Sequence, residues 1–176
     1  MHQMNSDKPL GILDGFEYVP VEIDEGTIAT FSKGTGRPVL LLHGYPQTHA
    51  TWEKVAPTFA KEFRCIVVDL PGYGQSRFAS EEQVRGNSSK RAVAAMLIKV
   101  MAKLGHSEFD VLGHDRGARV AYRMAMDYPD VVRKLGIIEI VPTADMWAKF
   151  DDADMALKAY HWTCLLYTSP SPRDRG

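Results

Sequence analysis

Short apolar runs alternate with longer stretches of helical spacing along this chain. Glu17 to Ile23 alternates as a half-buried strand does, Glu25-Gly26 marks a turn, and Thr27 to Ser32 is a second strand; together they predict an antiparallel hairpin. Val39 to Leu42, Cys65 to Val68, Phe109 to Leu112 and Lys134 to Val141 read as strands buried on both faces, the signature of a parallel sheet. Between them, apolar residues recur at helical spacing within Thr48 to Lys61 (Trp52, Val55, Phe59), Lys90 to Leu104 and Arg116 to Met126. Residues 77–89 are polar and read as irregular, and residues 1–15 as a polar lead-in. This order predicts an α/β fold, a mostly parallel, doubly wound sheet with an N-terminal antiparallel hairpin. Ligand sites in such sheets lie beyond the carboxyl ends of the strands. Three of those ends carry polar, glycine-rich punctuation: His43-Gly44, Asp69 to Gly74, and His114 to Gly117.

Composition narrows the function classes. A length of 176 residues suits one core, and a net charge of −1 gives no basic surface for nucleic acid or an anionic membrane. Cys65 and Cys164 cannot form a disulfide framework and match no zinc spacing, so a reducing, cytoplasmic setting without metal or cofactor is expected. The first residues, Met-His-Gln-Met-Asn-Ser-Asp-Lys, lack a signal-peptide core, and no run is long enough to span a bilayer.

The sharpest chemical signal is Gly113-His114-Asp115-Arg116-Gly117, set between a buried strand and a helix. This is the strand-to-helix turn that lifts a nucleophile above a sheet edge, with aspartate where serine commonly stands. A carboxylate can displace a leaving group from a saturated carbon and become an ester, which water then cleaves. The oxyanion of that second step needs backbone donors, and the N–H groups of Tyr45 and Arg116 are the candidates. The alternative for Asp115 is a helix N-cap, a role aspartate fills well. His43 reads as structural support for the loop that follows it, His114 as packed or bonded to backbone, and Asp69 and Ser76 as shapers of a turn. Met96, Met101, Met124 and Met126 read as core or surface filling.

HGYPQTHATW from His43, VVDLPGYGQS from Val67, GHDRGARVAYRMA from Gly113, and IVPT followed by YHW occur in that order. With these motifs the chain resembles the haloacetate dehalogenases, of the fluoroacetate type, in the α/β-hydrolase branch shared with epoxide hydrolases. The likeness runs from about Gly15 to Thr163. It implies that Asp115 is the nucleophile, that Arg116 and Arg119 hold the carboxylate of a haloacetate, and that His161 and Trp162 line a pocket for the leaving halide. Glu139 falls where the family places an aspartate that orients the catalytic histidine; the longer side chain leaves that role open. The arginines are three apart on one helical turn, a spacing that lets both guanidinium groups face one carboxylate. Either could instead cap or brace the sheet edge, and His161 and Trp162 could simply pack.

None of the six histidines (His2, His43, His49, His106, His114, His161) lies where this fold supplies its general base, after the last strand. The reading therefore divides the chain into a lead-in (1–15), the first part of the hydrolase core (16–143), the start of a helical cap (144–163), and a tail (164–176). Cys164 to Asp174 resembles the translation of a transposon-type sequencing adapter; a natural Pro/Ser-rich tail is the alternative. On this reading the chain is truncated in the cap region, and the open apolar edge of Lys134 to Val141 predicts a poorly soluble product. The expected activity is hydrolysis of small haloacids through an aspartyl ester. An epoxide hydrolase with the same nucleophile and a non-catalytic fragment are the alternatives. The expected partner is a small anionic substrate, with homodimerisation possible for the parent enzyme.

Overall fold

A computed structural model describes residues 13–140 of the chain. The chain divides into two compact units, residues 1–140 and 141–176, and everything described lies in the first. Seven strands form one sheet: β1 (Glu17–Ile23), β2 (Gly26–Lys33), β3 (Pro38–Leu42), β4 (Arg64–Val68), β5 (Arg77–Phe78), β6 (Phe109–His114) and β7 (Val132–Ile138). Their order is β1-β2-β4-β3-β6-β7, with the short β5 paired to β2. β1, β2 and β4 pair antiparallel, and β4, β3, β6 and β7 run parallel. The hairpin and the parallel sheet expected from the sequence are both present.

The two faces of the sheet follow from the two-residue period of strands. Leu40, Leu42, Ile66, Val68 and Val111 point to one face, where they meet Val93, Leu97, Met101, Val120 and Met124. The latter belong to helices α3 (Lys90–Lys103) and α4 (Arg116–Asp127). Val39, Leu41, Cys65 and Val67 point to the other face and meet Trp52 and Ala56. Leu40, Leu41 and Leu42 have no exposed surface, and burying each contributes roughly 1.5–3 kcal/mol. Of the four helix methionines named above, Met96, Met101 and Met124 are core and Met126 is exposed. Burial pushes the Cys65 thiol up to about 12, which makes it inert near neutral pH.

Three elements differ from the sequence reading. The single helix expected over Thr48 to Lys61 is broken into a 3₁₀ turn (His49–Trp52) and α1 (Ala56–Phe59). Pro57 accounts for the break: it has no N–H to bond back along a helix, and it is tolerated only in a first turn. Residues 77–89, read as irregular, contain β5 and α2 (Glu81–Asn87). Ser80 caps α2 by accepting from Gln83 N–H, but α2 buries no residue, so no apolar period announces it. β7 ends at Ile138, short of Val141, and is not buried on both faces. Leu135, Ile137 and Ile138 are exposed, because among the described residues β7 is last in the strand order and has one neighbour. No helix among the described residues is long and apolar enough to cross a membrane.

Candidate active site

β6 ends at His114 and α4 begins at Arg116; Asp115 joins them with φ 47° and ψ −115°. A non-glycine residue in such backbone stores roughly 1–3 kcal/mol of strain, which the surrounding structure must hold in place. Two close approaches hold it. At Gly117, an added Cβ would overlap the Leu42 carbonyl oxygen and lie 2.5 Å from the His43 carbonyl oxygen, so α4 is pressed against the end of β3. At Gly44, an added Cβ would lie 2.8 Å from both Asp115 Cβ and His114 Nδ1.

Asp115 occupies the N-cap position of α4, yet its side chain makes no capping hydrogen bond. The carboxylate turns instead toward the loop after β3, where Tyr45 N–H donates to Oδ2 at 2.8 Å. Of the two donors expected from the sequence, only Tyr45 is engaged; the Arg116 N–H forms no hydrogen bond to Asp115 among the described residues.

Around this carboxylate lie three cations. Arg116 is half-buried; its Nη1 donates to Tyr73 Oη at 3.1 Å and its guanidinium sits 4.4 Å from the centre of the Tyr45 ring. Stacking and hydrogen bonding together restrain a side chain that would otherwise sample many rotamers. Arg119, also half-buried, is held below the usual guanidinium range by burial and by Arg116, with Asp115 acting against both. Lys90, at the first turn of α3, is lowered by burial and then by Arg116 and Arg119, again opposed by Asp115. A cavity of about 200 Å³ lies here, walled by Tyr73, Phe78, Lys90, Val93, Arg116 and Val120.

Glu139 follows β7 with φ 55° and a largely exposed carboxylate. It accepts from His114 Nε2 at 2.8 Å. His114 Nδ1 lies 3.1 Å from Gln47 Oε1, which also accepts from Gly44 N–H at 3.3 Å. His114, expected to pack or bond to backbone, therefore bridges two side chains and links Glu139 to the loop carrying Tyr45.

His43 is fully buried. Its Nδ1–H donates to Gly44 O at 2.8 Å, and its Nε2 accepts from Leu70 N–H at 2.9 Å. The ring thus ties the loop after β3 to the loop after β4. Asp69 accepts from His49 N–H at 2.7 Å, His49 Nδ1 at 2.9 Å and Gln75 N–H at 2.9 Å, while Ser76 Oγ donates to Asp69 O at 2.6 Å. Burial alone would raise the Asp69 carboxyl; those hydrogen bonds outweigh it and hold it below the usual range. Burial lowers His43 against the opposing pull of Gly44 and Asp69, and it lowers His106 as well. Above the usual histidine value of 6.5 both states are neutral. Below it the unfolded chain takes up protons that the folded one refuses. Stability should therefore fall as pH drops through about 6.5, with a slope of at most about 1.4 kcal/mol per pH unit for each ring. Melting curves from pH 8 to 5 measure this, and His43→Asn should flatten the slope; an unchanged slope would show that His43 is not its source.

The structure thus brings Asp115, Arg116, Arg119, Tyr45 and Glu139 to one end of the sheet. His161 and Trp162, with the cap and tail segments, lie outside the described residues. Tyr73, Gln47 and Lys90 were not singled out as site residues from the sequence. Tyr73 and Gln47 are masked by turns that look purely structural. Lys90 did leave a signal: a cation in the first turn of a helix opposes the helix dipole.

Residues 37–167 match the family profile described as alpha/beta hydrolase fold. The chain is 38% identical over 161 residues to a fluoroacetate dehalogenase of Burkholderia sp, covering 92% of this chain and 53% of the relative. It is 37% identical over 109 residues to a soluble epoxide hydrolase of Corynebacterium sp. (strain C12), covering 62% of this chain and 36% of that one. Among solved structures, a Pseudomonas aeruginosa protein named provisionally as an epoxide hydrolase superposes with a TM-score of 0.83 at 42% identity, over 91% of this chain and 52% of that one. The chain spans about half the length of the dehalogenase it matches.

Proposed function

We propose, on the premise that this chain belongs to the α/β-hydrolase fold family, that the whole protein hydrolyses small haloacids through an ester on Asp115. The observation that carries the reading is the Asp115 carboxylate, lifted on a strained turn and held through one oxygen by Tyr45 N–H at 2.8 Å. That hydrogen bond leaves Oδ1 to attack a saturated carbon, with the halide departing along the same line. The ester carbonyl then rests on Oδ2, where Tyr45 N–H meets the oxyanion formed when water adds to Cγ. Arg116 and Arg119 hold the acid's carboxylate. Neither His43 nor His114, each with both nitrogens engaged, nor His49, bound to Asp69, is placed to activate that water. A base is required from elsewhere in the whole protein, with Glu139 as its orienting acid, and the 176-residue chain alone is proposed to be inactive.

Epoxide hydrolysis is the second reading, favoured by the shared nucleophile chemistry and by the second relative. An uncharged epoxide gives Arg116 and Arg119 nothing to pair with, which is why the haloacid stands first. The test is halide release from fluoro-, chloro- and bromoacetate beside epoxide opening, on the complete gene product. Arg119→Ala should raise the haloacetate KM by about 10- to 100-fold. Epoxide opening without halide release would put the second reading first; an unchanged KM would remove the anion clamp.

A further inference from the structure

Lys90 stands where several effects disfavour a cation. Burial disfavours its charge, and Arg116 and Arg119 repel it. It sits at the positive end of the α3 dipole. Asp115 opposes these effects at Lys90, and Lys90 forms no hydrogen bond or ion pair among the described residues. Among the described residues, no carboxylate lines the cavity it shares with Arg116. The Tyr73 hydroxyl accepts from Arg116 Nη1, which leaves its own proton to donate into the same space. The remaining walls are the apolar Leu70, Pro71, Phe78, Val93 and Val120, together with Ser88, whose hydroxyl donates to Val84 O.

We propose that this cavity is a second anion site beside the nucleophile, sharing only Arg116 with the substrate clamp, in which Lys90, Arg116 and the Tyr73 hydroxyl bind a small monocarboxylic acid. Two cations within a largely hydrocarbon lining fit an acid with a short apolar end better than a bare halide. The residues reach it from three elements: Tyr73 from the turn after β4, Lys90 from the start of α3, Arg116 from the start of α4. Asp115 does not line the cavity, so an acid held here is bound without reacting. Such a site would collect substrate acid next to the reaction centre or hold product acid on its way out. The choice of a carboxylic acid as ligand rests on the proposed function, whereas the existence of an anion site does not.

The test uses acetate, which carries no leaving group, titrated into the complete gene product and followed by NMR of the Lys90 ammonium and the Tyr73 ring. Saturable shifts at both are expected. Lys90→Met should weaken them at Tyr73 by about tenfold in Kd, and Lys90→Arg should preserve them. Shifts at Tyr73 that are indifferent to Lys90→Met would overturn the site. Chloride acting as strongly as acetate would overturn its assignment to carboxylic acids. If no halide is released from any haloacetate but acetate still binds through Lys90, the proposed function fails and this site stands.

Discussion

Replacing Asp115 with asparagine should lower halide release by the complete protein at least about 10³-fold, because an amide oxygen cannot form the ester and no neighbouring group replaces it. The fold should survive. Asparagine tolerates a positive φ as aspartate does, and its side-chain oxygen can still accept from Tyr45 N–H. Loss of rate with an unchanged melting temperature is therefore the expected pair of results. A second measurement separates an ester from direct attack by water. After one turnover in heavy-oxygen water, mass spectrometry should find the label in the Asp115 carboxylate and not in the hydroxy acid. A variant that keeps its full rate, or label entering the product first, would remove Asp115 as nucleophile.

Gly117→Ala should damage the fold itself. Its methyl group would meet the backbone of Leu42, the last residue of β3, and of His43, the first residue after it, with His43 O at 2.5 Å. No side chain can rotate away to make room, so α4 must lift from β3. Overpacking of this kind should cost about 3 kcal/mol or more, a large part of a domain's net stability. The melting temperature of the complete protein should fall by about 10 °C or more. The same displacement would carry Arg116 and Arg119 with it, so substrate binding should weaken alongside stability. A melting temperature within a degree of the parent's would show that the contact is not tight.

Much of the fold was legible because the sheet is buried on two faces. Val39 to Leu42 and Cys65 to Val68 read as strands from apolar continuity alone, and the structure pairs them in parallel. The helix spanning Thr48 to Lys61 failed because helical spacing survives in sequence even where Pro57 divides the backbone. α2 was missed because it buries nothing and so leaves no period. For the site, the turn around Asp115 was legible from its two glycines and its place between a strand and a helix. The side chains that orient Arg116 were not. Tyr45 and Tyr73 come from the loops after β3 and β4, and nothing local in either loop says that both reach one guanidinium. Likewise, the His114 bridge from Glu139 to Gln47 joins residues far apart in sequence.

The hydrogen bond from Tyr45 makes the two oxygens of Asp115 unequal. A free carboxylate has mirror symmetry; this one offers a single oxygen from a single side. On the proposed chemistry the new carbon–oxygen bond forms opposite the departing halide, and later cleavage falls on the acyl side, leaving that bond intact. A stereogenic α-carbon is then turned over once and never restored, so an acid of one handedness leaves as its 2-hydroxy counterpart of inverted configuration.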